Sequence, residues 1–117
     1  MSILPEAENV VIPVEKFTDY ALHPIRGKGK AIAFDRALGY NLTNADKLIE
    51  NIRTNLSRFE AKPKGSNEFG LKYEVLMNIT GENGKIAHVL TSWIIEHESK
   101  LIRLTSAYIK NRRRKND

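Results

Sequence analysis

From residue 69 the chain alternates between apolar and polar positions. Phe69, Leu71, Tyr73, Val75, Met77 and Ile79 fall on one side, and Lys72, Glu74 and Asn78 on the other, the period of a half-buried strand. "GENGK" follows, and its Asn83-Gly84 pair is a strong hairpin signal. "KIAHVLTSWII" then predicts the partner strand and "KLIRLTSAYI" a third, with the turn around "EHESK" between them. A short strand at "FEAK", ending before Pro63, makes four.

Upstream the period is helical. In "TNADKLIENIRTNLSRF" the residues Leu48, Ile52, Leu56 and Phe59 form one stripe with Ile49 beside it. Thr43 followed by Asp46 gives a weak form of the capping box at its start. Ala31, Phe34 and Leu38 predict a shorter helix closed by Gly39. Two helices followed by an antiparallel sheet define an α+β domain. Its expected limits are residues 11–109, with a flexible N-terminus at 1–10 and a basic tail at 110–117. Within 11–20, "VVIPVEKF" reads as a short extended segment or loop.

On the predicted strands Val89, Thr91, Trp93 and Ile95 share a face, and so do Leu104, Ser106 and Tyr108. Their alternates are His88, Leu90, Ser92 and Ile94 on one strand and Arg103, Thr105 and Ala107 on the other. Two hydroxyls, Thr91 and Ser106, therefore sit within an otherwise apolar set. Either they satisfy backbone groups or each other, or they face a cleft that receives a phosphate or a sugar hydroxyl. The opposite face, with Lys72, Glu74, His88, Ser92, Arg103 and Thr105, is either solvated or turned toward RNA.

Charge adds one feature and removes another. The formal net charge is +5 and the isoelectric point about 9.6. Of 19 basic and 14 acidic residues, five and one lie in the last eight, "KNRRRKND". The tail thus sets the isoelectric point, while the rest is close to balanced. The informative cations are Arg26, Lys28 and Lys30 in "HPIRGKGKA", at the start of the first helix. Each opposes the helix dipole at a cost of a few tenths to about 1 kcal/mol. A polyanion bound to the free N–H groups there would reverse that cost, with Gly27 and Gly29 allowing close backbone approach. The competing reading is that the long side chains curl away from the helix end.

Other chemistries lack their residues. There is no cysteine, so disulfides and thiolate sites are excluded. His23, His88 and His97 have no metal-ligand spacing, and no HExxH, GxGxxG or P-loop pattern is present. No cofactor is expected, and no apolar run is long enough to span a bilayer. His23, next to the cationic cluster, supplies an imidazole, the side chain most often used to carry a proton in acid–base steps. Imidazole, lysine and phosphate together suit RNA cleavage without a metal, by attack of the 2′-OH on the adjacent phosphate.

"IPVEKFTDYALHP", "GKGKAIAFDRALGY", "YEVLMNITGENGK", "VLTSWII" and "RLTSAY" together resemble a bacterial and phage family of small toxin-like proteins of unknown function. Members often lie at the ends of polymorphic toxins or beside small antitoxin-like partners. The helix–helix–sheet order looks like the barnase–EndoU–colicin–RelE (BECR) ribonuclease toxin fold. The resemblance implies an endoribonuclease toxin of a toxin–antitoxin pair, cleaving tRNA or mRNA in the cytoplasm, with RNA and a cognate antitoxin or immunity protein as partners. Starting at Met1, the chain resembles a free-standing toxin. The family's characteristic positions fall on His23, Lys30, Thr91, Trp93, Ser106 and Tyr108, with Ser106 where relatives tend to have Thr. On that basis His23 is the expected acid or base and Lys30 the cation that stabilises the transition state. Thr91 and Ser106 orient the phosphate or 2′-OH; Arg26, Lys28, Trp93 and Tyr108 contact RNA. Two other classes fit the same residues: a non-catalytic RNA- or anion-binding module, and an interaction protein for an acidic partner.

Overall fold

A computed structural model describes residues 3–110 of the chain. It is an α+β fold with one four-stranded antiparallel sheet. The elements are α1 (Lys28–Leu38), α2 (Ala45–Asn55), β1 (Ala61–Ser66), β2 (Gly70–Thr80), β3 (Ile86–Glu96) and β4 (Ile102–Ile109). The strands lie in the order β1-β2-β3-β4, each beside its sequence neighbour.

The β2–β3 hairpin is the spine of the sheet, paired from Gly70↔Glu96 to Thr80↔Ile86. Gly84, in its turn, has φ 83°, a left-handed conformation that glycine adopts without strain. Val75, Met77, Ile79, Val89, Trp93 and Leu104 line the buried face. Onto it α1 brings Phe34 and Leu38, and α2 brings Leu48 and Ile52, with Leu56 just beyond. Leu71 and Phe69, at the far end of the alternating run, stay exposed.

Local chemistry sets the ends of the helices. Gly39 closes α1 at φ 77°, with its N–H on the Asp35 carbonyl. Before α2, Asn41 and Asn44 cap one another reciprocally around a short 3-10 turn. The capping pair is therefore two asparagines and not Thr43 with Asp46. Thr43 instead donates its hydroxyl to Asn41 Oδ1.

Two expectations change. Leu4, Ala7 and Val10 are buried in the core, so residues 4–10 belong to the folded body and are not a flexible lead. Val11 then pairs alongside Arg103 of β4, its N–H on the Ile102 carbonyl and its carbonyl accepting from Leu104. β1 runs through Pro63 instead of stopping before it. A proline without an N–H is tolerated there because β1 is an edge strand. The expected basic tail beyond Lys110 lies outside the described residues.

The turn between β3 and β4 is tied by Glu96. Its carboxylate accepts from the Ser99 hydroxyl at 2.6 Å and from Arg103 Nε at 3.0 Å. These two hydrogen bonds hold the Glu96 carboxyl below its ordinary pKa. A carboxylate with a depressed folded pKa stabilises the fold above the unfolded value, and loses that contribution as pH falls through the folded one. Glu96→Gln is expected to lower the melting temperature at neutral pH. The gap should close below the ordinary carboxylate range, as thermal unfolding across pH will register.

Candidate functional site

An extra residue in β4 decides which side chains meet α1. Ser92 pairs with Ser106, yet the next residue, Trp93, pairs with Leu104. Thr105 is thus a β-bulge, and its hydroxyl bonds the Ser92 carbonyl at 3.1 Å. A bulge reverses the alternation beyond it. Leu104 and Ala107 are buried on the core side, while Ser106 and Tyr108 are partly exposed and stand opposite Ser92 and Leu90. The expected face of Leu104, Ser106 and Tyr108 is therefore split, as is the expected set of Arg103, Thr105 and Ala107. Thr91 faces Ala107 instead of sharing a side with Ser106.

Thr91 and Trp93 are corrected with it. Thr91 is 0% exposed and Trp93 1%. The Thr91 hydroxyl donates to the Val75 carbonyl at 2.8 Å and accepts from Trp93 Nε1 at 2.8 Å. With its donor and an acceptor site engaged inside the core, this hydroxyl has no route to a substrate. Trp93 is likewise a core side chain and cannot stack on a base.

Lys30 and Ser106 do come together. A π-helical turn, Phe17–Ala21, packs against the start of α1. Gly27 makes that approach possible, because a Cβ on it would lie 1.6 Å from the Tyr20 carbonyl oxygen. Between this turn, the first turn of α1 and the bulge of β4 lies a cavity of about 230 Å³. Lys16, Tyr20 and Lys30 line it with Thr105, Ser106 and the small side chains of Ala21 and Ala107. On the other side of Lys30 a second hollow is lined by Gly29, Ala33, Tyr108 and Ile109. Lys30 Nζ sits 5.8 Å from the centroid of the Tyr108 ring, within cation–π range.

The cleft is cationic and hydroxyl-rich. α1 begins with no side-chain cap and no acidic residue in its first turn, so its orphan N–H groups and the lysine ammonium groups act in the same sense. Tyr20 is 53% exposed and holds a phenol at the rim. Sequence reasoning missed Lys16 and Tyr20, since nothing in the local pattern shows that residues 16–20 fold back onto α1 and β4.

His23, Arg26 and Lys28 lie outside this lining. His23 Nδ1 accepts from the backbone N–H groups of Ile25 and Arg26, both at 3.1 Å. The imidazole thus holds the turn into α1, with Nε2 left for other partners. Arg26 and Lys28 are exposed. Gly27 has a structural reason in its contact with Tyr20, whereas nothing lies within 4 Å of a Cβ built on Gly29. Among the described residues, no three or more His, Cys, Asp or Glu side chains gather in a metal-binding group.

The chain belongs to a family described as a domain of unknown function (DUF6883), which covers residues 3–111. Its span takes in the N-terminal segment that packs in the core and all four strands. No curated protein and no solved structure matches the chain. No helix among the described residues is long and apolar enough to cross a membrane.

Two pairs of substitutions separate packing from chemistry. Gly27→Ala should cost about 2–4 kcal/mol in urea unfolding, while Gly29→Ala should be neutral or stabilising by up to about 1 kcal/mol. Thr91→Val strands the Trp93 N–H inside the core, a loss of about 1–3 kcal/mol. Ser106→Ala should leave stability within about 0.5 kcal/mol of the parent.

Proposed function

We propose that the protein is a metal-independent endoribonuclease of the toxin type, with its phosphate site in the cleft between α1, the Phe17–Ala21 turn and β4. One observation carries the reading: Lys16, Lys30 and Ser106, far apart in sequence, converge on one cavity with a tyrosine phenol at its rim. The order of elements, helices and then an antiparallel meander, supports a likeness to the BECR ribonuclease toxins. On this reading RNA and a cognate antitoxin are the partners, and the cytoplasm is the place of action.

The chemistry follows from the lining. The 2′-oxygen of one ribose attacks the adjacent phosphorus, a new P–O2′ bond forms, and the P–O5′ bond breaks. The products are a 2′,3′-cyclic phosphate and a free 5′-OH. Lys16 and Lys30 stabilise the charge that gathers on the non-bridging oxygens. The Ser106 hydroxyl orients one of those oxygens, and the Tyr108 ring beside Lys30 offers a base a stacking surface. Two groups serve as proton carriers: the Tyr20 phenol at the rim, and His23 through Nε2 from the segment that leads into α1. Arg26 and Lys28 extend the cationic surface along the strand.

One observation favours a second reading, an RNA-binding module without turnover. His23 spends its Nδ1 on the backbone and stands outside the cleft lining.

Purified protein incubated with total RNA in EDTA should generate new ends carrying 2′,3′-cyclic phosphate. Lys30→Ala should reduce that rate by about a hundredfold or more. Tyr20→Phe and His23→Ala should show the larger loss in whichever residue moves the proton. Salt-sensitive RNA binding by folded protein with no new ends would favour the second reading. Absence of both binding and cleavage would sink the proposal.

A further inference from the structure

A second cavity lies at the opposite side of the sheet, along the edge of β2. β1 pairs with β2 only as far as Ala61↔Val75, so the edge from Leu76 to Thr80 has no strand beside it. The Gly81 N–H bonds back to Lys85 across the hairpin. The Thr80 carbonyl points the other way and accepts from Asn51 Nδ2 at 2.9 Å. Alternation then turns the N–H and C=O of Asn78 outward as well. Asn51 occupies the Thr80 carbonyl, and β1 closes the other end. What remains is a short slot that holds the Asn78 donor and acceptor side by side, with the Thr80 N–H next along the edge.

The cavity over this slot holds about 420 Å³ and is lined by Asn51, Asn55, Arg58, Phe59, Asn78 and Thr80. That volume is in the range of small-molecule sites, roughly 300–1,000 Å³. A peptide strand would run into the Asn51 side chain on the Thr80 carbonyl, whereas the Asn78 pair faces the cavity. A planar ring with adjacent donor and acceptor atoms fits that pair, and the exposed Asn78 amide can bond the same ring edge. Phe59 is half-buried and fixed against the core, an aromatic wall for such a ring. Arg58 uses Nη1 on Asn55 Oδ1 at 3.1 Å and keeps further N–H donors for an anion.

We infer that this cavity binds a nucleoside monophosphate, with its base edge on Asn78 and its phosphate on Arg58. The inference is independent of the cleft at Lys30, which lies beyond the other edge of the sheet. The same chemistry is present in a free nucleotide and in one residue of an unpaired RNA strand.

Isothermal titration with AMP, GMP, CMP and UMP tests it, alongside adenosine and ribose 5-phosphate. At least one monophosphate should bind at one per chain, more tightly than adenosine, and ribose 5-phosphate should not bind. Arg58→Ala should weaken the monophosphate about tenfold or more and leave adenosine unchanged. Asn78→Ala should weaken both, and Lys30→Ala neither. Displacement of the bound monophosphate by a short unpaired RNA assigns the pocket to an RNA residue, and no displacement assigns it to the free nucleotide. The inference is overturned if folded protein binds none of the four monophosphates. It is also overturned if binding is indifferent to both Arg58→Ala and Asn78→Ala.

Discussion

The bulge at Thr105 sets what each face of the last strand presents. One extra residue in β4 lets Leu104 and Ala107 both point into the core, although they are three positions apart. Without it, a strand that buries Leu104 would also bury Ser106 and expose Ala107. The bulge instead gives the core a small side chain beside Thr91 and brings the Ser106 hydroxyl to the cavity beneath Lys30. Val11, hydrogen-bonded along the first half of β4, covers the edge up to the bulge, and the cavity opens where that cover ends.

The other side of the cavity depends on a close approach of backbone to backbone. Gly27 lies against the Tyr20 carbonyl with no room for a side chain. The π-helical turn and the start of α1 are thereby locked together, which brings Lys16 and Tyr20 to the same cavity as Lys30. The His23 imidazole holds the connecting segment between them by accepting from the backbone of Ile25 and Arg26. The "HPIRGKGKA" segment is thus first a joint. Of its three cations, Lys30 alone lines the cavity, while Arg26 and Lys28 stand outside.

Much of the fold was legible because it rests on local periodicity. The alternation from Val75 to Ile79, the stripe of Leu48, Ile52 and Leu56, and the glycines at 39 and 84 each carry their structural meaning within a few residues. The bulge was not legible, because Thr105 and Ser106 are both small hydroxyl residues and swapping their faces leaves the polar pattern unchanged. Thr91 looked like a cleft residue for a related reason. Its role is to satisfy Trp93 and Val75 inside the core, and those partners come from two strands. The burial of Leu4, Ala7 and Val10 was hidden in a segment with too few apolar residues to show a period. At the site, Lys30 and Ser106 were legible as chemistry, whereas Lys16 and Tyr20 are recruited by tertiary packing alone.

The central claim is that the cavity joining Lys30 to the bulge of β4 receives an RNA phosphate. A titration of isotopically labelled protein with a short single-stranded RNA, followed by amide NMR, tests it most directly. The account predicts salt-sensitive shifts at residues 16–20, 28–30 and 105–108, lost in Lys30→Ala. Shifts that spare all three segments, or that persist unchanged in Lys30→Ala, would contradict it.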